Sequence, residues 1–268
     1  MDSPGTLGGG VMRTRMTTER RPASVLPSFA TALAVFAHPD DESFGLGAVL
    51  AKLVEAGTQT AAVCFTHGEA STLNDGETDL GPVRSRELAD AASFLGLVHS
   101  ELLDFRDGHL NVASVDELAA HVVRAAQHID ADVLITFDEG GITGHSDHRR
   151  ATESALRAAN QLHVGVLGWA VAVHVAGALN DELGTHFVGR SLNELDFLIP
   201  VDRVRQCGAI ACHRSQAAAN PVLWRRLELS GPSEPLRWLR RPPSTLAPGR
   251  DMTKATTKAR GTPIPGSR

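Results

Sequence analysis

Short continuous apolar runs alternate along this chain with longer stretches whose apolar residues recur every three or four positions. A short continuous run reads as a strand buried on both faces, and the three-to-four spacing reads as a helix with one buried side. Residues 31–37, around Leu33-Ala34-Val35-Phe36-Ala37, are the first predicted strand. Gly45 to Ala56 predicts a helix, with Leu46, Val49, Leu50 and Leu53 on one face and Gly57 as its stop. Residues 58–66 predict a strand, 68–81 a glycine-containing loop, and 82–95 a helix that opens on Pro82 and stops at Gly96. A strand at 98–103, a polar loop at 104–111 and a helix at 114–128 follow. Ser114 and Glu117 stand at capping-box spacing at the start of that helix. Val133–Phe137 predicts the next strand, 138–144 a glycine-rich loop and 146–161 a helix.

This β-α-β-α-β-α-β-α order predicts an α/β fold, a mostly parallel sheet covered by helices on both faces. Stretches 167–175 and 195–199 suggest further strands, and 201–214 a further helix. The expected division is a disordered extension over 1–28, one domain over 29–230, and a Pro/Gly/Arg-rich, largely disordered tail over 231–268. In parallel sheets ligands sit beyond the carboxyl ends of the strands. Two polar clusters lie there. His38-Pro39-Asp40-Asp41-Glu42 leaves the first strand, and Gly144-His145-Ser146-Asp147-His148 follows the strand at 133–137.

Ionised carboxylates at the end of a buried strand need a partner or a metal. Imidazole and carboxylate oxygen are both good Zn²⁺ ligands, although the same set also suits Fe²⁺ or Co²⁺. His38, Asp41 and His148 supply two histidines and one carboxylate, which leaves the fourth tetrahedral position open for water. Asp40 cannot easily share that ion with the adjacent Asp41, so it is the natural general base for a zinc-bound water nucleophile. His145 stands three residues before His148, where it can stabilise an oxyanion or protonate a leaving amine. Asp147 could hold His145 charged and oriented.

Composition narrows the reading. The 268 residues carry 42% hydrophobic and 21% charged residues with a net charge of −5, as in an ordinary globular protein without a broad cationic surface. Aromatic residues make up 4% and tyrosine is absent, so neither nucleic acid nor an anionic membrane is the expected partner. Three scattered cysteines, Cys64, Cys207 and Cys212, do not form a disulfide framework and fit a reducing, cytoplasmic location. Arg20-Arg21 could suggest export, but cleavage after the following short apolar run would remove part of the proposed site. Met1, Met12 and Met16 are all open as the start, and a homo-oligomer is left open too. Gly45-Leu46-Gly47 lacks the third glycine of the dinucleotide fingerprint, and its acidic neighbours would repel a pyrophosphate.

Ala37-His38-Pro39-Asp40-Asp41-Glu42 together with Gly144-His145-Ser146-Asp147-His148 resembles the PIG-L/LmbE-like zinc-dependent N-deacetylases. Leu80 to Leu88, Phe94-Leu95-Gly96, Asp107-Gly108-His109-Leu110 and His213-Arg214-Ser215-Gln216 extend the resemblance over roughly residues 31–220. It implies a Rossmann-like three-layer sandwich without dinucleotide function. It also implies Zn²⁺ held by His38, Asp41 and His148, Asp40 as base, and His145 supported by Asp147. Arg84 matches an arginine that contacts substrate, and Asp107 a carboxylate that can bind sugar hydroxyls. The implied substrate is a small N-acyl amino sugar or glycoconjugate, usually N-acetyl. A zinc amidase acting on a thiol conjugate or antibiotic, and a non-catalytic metal-containing sugar-binding module, are the alternatives. Thr143 departs from the aromatic residue that several such proteins carry before the second Gly-His, and 162–194 holds no motif of the family.

Overall fold

Successive side chains of the first strand, β1 (Thr31–Phe36), enter two separate cores. Ala32, Ala34 and Phe36 join one apolar cluster; Leu33 and Val35 join the other. A strand can be apolar at every position only when helices cover both faces of its sheet. The computed structural model, which describes residues 21–73 and 79–243, has that architecture. The other strands are β2 (Gln59–Thr66), β3 (His99–Phe105), β4 (Val133–Phe137), β5 (Gly165–Trp169), β6 (Val171–Ala172), β7 (Gly189–Arg190), β8 (Phe197–Pro200) and β9 (Ser233–Arg240). The helices are α1 (Asp41–Phe44), α2 (Gly47–Glu55), α3 (Leu80–Leu95), α4 (Val115–Ile129), α5 (Gly141–Gly144), α6 (Ser146–Leu162), α7 (Val173–Leu183), α8 (Val204–Cys212), α9 (Arg214–Ala217) and α10 (Pro221–Ser230).

The main sheet runs β3-β2-β1-β4-β5-β9-β8, and β6 pairs with β7 in a separate ribbon. The first five strands are parallel, with Val35 beside Val63 and Leu33 beside Leu134. The chain winds outward from β1 through β2 to β3, then returns to the other side of β1 as β4. The switch point where ligands gather in such sheets therefore lies between β1 and β4.

Helices α2, α3, α7 and α8 contribute to the first core, and α4 and α6 to the second. Leu118, Val122 and Ala126 form the buried stripe of α4. A leucine such as Leu118, fully buried, contributes about 1.5–3 kcal/mol. The N-cap Ser114 accepts the Glu117 N–H at 3.0 Å, as its spacing predicts. Gly96 ends α3 with φ 83°, the left-handed stop expected of a glycine.

The expected boundaries need correction at both ends. Residues 233–240, assigned from composition to the tail, form β9, an antiparallel strand inserted between β5 and β8 with Leu236 fully buried. Pro235 and two arginines hide the alternation of Leu236 and Trp238, and a proline argues against an interior strand. Within the expected 1–28 extension, Ala23 pairs with Phe197 beside β8. The rest of the expected extension and tail, 1–20 and 244–268, lies outside the described residues. Residues 167–175, expected as one strand, divide among β5, β6 and the start of α7.

Candidate metal centre and its cleft

His38 leaves β1 beside His148 at the start of α6, so the two strand exits at the switch point meet. His38 Nδ1 lies 3.2 Å from His148 Nε2, His148 Nε2 lies 3.2 Å from Asp41 Oδ1, and His38 Nδ1 lies 3.6 Å from Asp41 Oδ2. Tetrahedral bonds of about 2.0–2.1 Å put ligand atoms roughly 3.3 Å apart. With one ligand atom from each, the three side chains lie within 4.8 Å of one another, close enough to share a metal ion.

The surrounding groups aim these atoms. Asp41 Oδ2 accepts the backbone N–H groups of Ala37 (3.1 Å) and His38 (2.9 Å), leaving Oδ1 toward His148. The His148 Nδ1–H can donate to the Gly141 carbonyl at 3.2 Å, which frees Nε2 as a ligand. His38 Nε2 meets Asp107 Oδ1 at 3.1 Å, which favours a lone pair on Nδ1. Carboxylate or carbonyl contacts of this kind fix the tautomer of metal-ligating histidines. Phe137, at the end of β4, stands edge-on to His148 with ring centroids 4.8 Å apart. Gly45 admits that ring: a Cβ there would sit 2.5 Å from Phe137 Cε1.

The local field favours a cation. Burial alone would lower His38, but hydrogen bonds with Asp107, Asp147 and Asp41 hold its pKa well above the usual value. Burial alone would raise Asp41, but the His148 and His38 imidazoles hold it well below the carboxylate range. Asp107 is likewise held at about 2, mainly by His38 against the effect of burial. A second trio, His38, His145 and Asp147, is also close enough to share an ion. There the Nε2 of His38 already faces Asp107, and His145 Nδ1 accepts the Asp147 N–H, so the first trio is better prepared.

Asp40 stands beside the trio in a strained backbone, with φ 121° and ψ −25°. Several contacts hold it there. Glu42 Oε2 accepts the Asp40 N–H at 3.0 Å, and Ser43 and Phe44 donate to the Asp40 carbonyl. Arg84 donates to Asp40 Oδ2 at 2.7 Å, to the Pro39 carbonyl, and to the Gly68 carbonyl at 2.5 Å. Burial raises the Asp40 pKa to about 6, with Arg84 opposing the rise and Asp41 adding to it.

Some predicted residues make contacts that the sequence did not suggest, while Arg84 and Asp107 also line the cleft. Arg84, expected to contact substrate, is 3% exposed and engaged with Asp40 and two carbonyls. Asp107, expected to bind sugar hydroxyls, gives one oxygen to His38 and the other to the Ala70 N–H. Asp147, expected to hold His145 through its carboxylate, instead accepts the N–H groups of Gly108 (2.8 Å) and Leu110 (3.2 Å). Its backbone N–H, not its carboxylate, meets His145. The His145 pKa is lowered, first by burial and then by His148 and His38, with Asp147 only partly compensating. With Nδ1 accepting the Asp147 N–H, His145 carries its proton on Nε2, from which it can donate a hydrogen bond.

Sequence reasoning left the role of His213-Arg214-Ser215-Gln216 open. His213 binds Glu42, Ser215 binds Glu87 of α3, and Gln216 accepts from Ser71 on the cleft loop. Phe44, Trp169 and Phe187, which line the cleft with Phe137 and Ile142, carried no motif; only their assembly by the fold identifies them. Thr143 also lines it.

Two histidines and one carboxylate thus meet at the switch point of an α/β sheet, where they could hold a metal ion. The profile of the PIG-L family, described as GlcNAc-PI de-N-acetylase, matches residues 33–160. A 1D-myo-inositol 2-acetamido-2-deoxy-alpha-D-glucopyranoside deacetylase of Salinispora arenicola is 32% identical over 226 residues, 70% of this chain and 73% of that protein. The deacetylase of the same name from Streptomyces scabiei is 38% identical over 152 residues, 47% of each chain. The chain belongs to the PIG-L family. It spans about half the length of the first curated relatives it matches. Among solved structures, the 4-carboxy-2-hydroxymuconate hydratase GalB of Pseudomonas putida KT2440 aligns with TM-score 0.60 at 17% identity, covering 78% of this chain and 95% of that one. At that identity the likeness shows the fold alone, and the reaction must be argued from the site.

Proposed function

We propose that this protein is a zinc-dependent hydrolase that removes an N-acyl group from an amino sugar or glycoconjugate. The observation that carries the proposal is the convergence of His38, Asp41 and His148, one ligand atom of each within 4.8 Å of the others, beside the partly buried carboxyl of Asp40. His38, Asp41 and His148 would hold the ion. Zinc, when bound, acidifies water and polarises a carbonyl oxygen. Asp40 takes a proton from the attacking water, a task suited to a carboxylate raised toward neutrality. Arg84 keeps the Asp40 carboxylate aimed while its charge changes. His145 donates a hydrogen bond through Nε2–H to the oxygen on which negative charge develops. Asp40, once protonated, delivers the proton to the departing amine.

The names of the relatives support an N-acetylglucosaminyl substrate. A reducing, cytoplasmic setting suits three free cysteines. Among the described residues no helix is long and apolar enough to cross a membrane. The test is release of primary amine from N-acetylglucosamine conjugates by zinc-loaded and by chelated protein. Amine release that depends on zinc supports the proposal; none from any N-acyl amino sugar overturns it.

A further inference from the structure

The carbonyl that aims His148 belongs to a strained peptide. Gly141, whose oxygen faces His148 Nδ1 at 3.2 Å, has φ 65°, and the next residue, Ile142, has φ 63° and ψ −63°. Glycine adopts a positive φ freely, whereas a β-branched residue does so only where its surroundings hold it. The Gly141–Ile142 peptide is a rigid plane that turns with these angles. Relaxation of Ile142 would therefore swing the Gly141 oxygen away from His148.

The restraint comes from residues 187–190, a segment in which the sequence shows no motif. The Val188 N–H donates to the Ile142 carbonyl at 2.8 Å. Further along, Arg190 Nε donates to Asp138 Oδ2 at 2.6 Å. Asp138 is 2% exposed and opens the connection from β4 to α6, where its carbonyl accepts the Gly141 N–H at 2.9 Å. Gly140 lets the segment come close: a Cβ there would lie 3.3 Å from the Val188 Cβ. The segment has its own footing. Asn180 Oδ1 accepts the Phe187 N–H at 2.7 Å, and Gly189 and Arg190 pair with Val171 and Ala172. It crosses the β4–α6 connection as a strap, fixed to Asp138 by an ion pair and to Ile142 by a backbone hydrogen bond.

We propose that Arg190 is a positioning residue for the metal centre. By pinning the strap to Asp138 it keeps Ile142 in its strained form and the Gly141 carbonyl on His148, and so sets the affinity for zinc. This rests on the reading of His38, Asp41 and His148 as a zinc site. Arg237 of β9 meets the other oxygen of Asp138 at 3.2 Å, so loss of Arg190 frees the strap without leaving that carboxylate alone.

The experiment measures zinc affinity of the metal-free full chain by competition with a chromophoric chelator. Arg190→Ala should weaken binding by about 10–100-fold, the range for lost outer contacts of a ligating histidine. Arg190→Lys should recover part of the loss, because an ammonium still pairs with Asp138; no recovery would count against the inference. Equal affinity in Arg190→Ala and the unaltered chain overturns the inference and leaves the zinc site intact. Zinc uptake by neither chain removes the site and the inference together. Leu118→Ala, a core change on α4, should lower stability and leave zinc affinity unchanged; a loss equal to that of Arg190→Ala would reduce the effect to general destabilisation and overturn the inference. Ile142→Gly removes the strain, so Arg190→Lys on that background should cost less zinc affinity than in the unaltered chain. An equal cost would overturn the inference, even if Arg190→Ala does not fold.

Discussion

His213 Nε2 and Glu42 Oε1, 171 residues apart in the chain, meet at 2.5 Å with both side chains fully buried. The other oxygen of Glu42 accepts the backbone N–H of Asp40. A residue late in the chain thereby supports the strained turn that presents the proposed base.

Removing His213 takes the imidazole partner from the buried Glu42 carboxylate, which keeps the Asp40 N–H and the Ser43 hydroxyl. His213→Ala should cost about 3–5 kcal/mol of stability in urea unfolding. A double-mutant cycle with Glu42→Gln should show a coupling of at least about 1 kcal/mol. Additive effects would mean the pair does not act as a unit.

The same pair makes stability depend on pH. Burial would lower the His213 pKa, but the Glu42 carboxylate outweighs it and raises the value above 6.5. A histidine raised on folding contributes stability that is complete below its unfolded pKa and is lost as pH rises through its folded pKa. Metal-free protein should therefore lose stability as pH climbs from about 6.5 through that raised value. His213→Asn should flatten this part of the curve of unfolding free energy against pH. A slope identical to that of the unaltered chain would rule out His213 as its source.

Asp40→Asn should retain one zinc ion per chain, because Asp41 and not Asp40 faces His148. Its kcat should fall by about 10²–10⁴, the range for a lost general base. Metal content by atomic absorption and turnover on one preparation separate the two roles. Unchanged kcat would remove Asp40 from the chemistry.

Arg84 acts on Asp40, so Arg84→Gln should lower kcat more than it raises KM. Arg84→Lys should recover only part of the loss, because one ammonium cannot reach Asp40 Oδ2 and the carbonyls of Pro39 and Gly68 in the same fork. A change confined to KM would return Arg84 to the substrate-contact role that the resemblance implies.

Much of this site could be read in the sequence. The exits of β1 and β4 were visible as polar clusters after apolar runs, and parallel-sheet topology accounts for their meeting. The strand Val133–Phe137 and the Ser114 cap are purely local signals, and the structure reproduces both. The misreadings concern long-range effects. β9 reads as tail because Pro235, Arg237 and Arg240 dominate its composition, while pairing with β5 and β8 decides its conformation. Spacing also says nothing about which oxygen of Asp107 or Asp147 meets which nitrogen, so their contacts with His38, Ala70, Gly108 and Leu110 could not be read. The aromatic wall came from four separate segments with no shared pattern.

The most direct test is zinc titration of the chelated full chain, with amine release from an N-acylglucosamine followed in parallel. One ion per chain should bind, hydrolysis should return in proportion, and His148→Ala should abolish both. Full hydrolysis by metal-free protein, or zinc uptake undiminished in His148→Ala, would contradict the proposed centre.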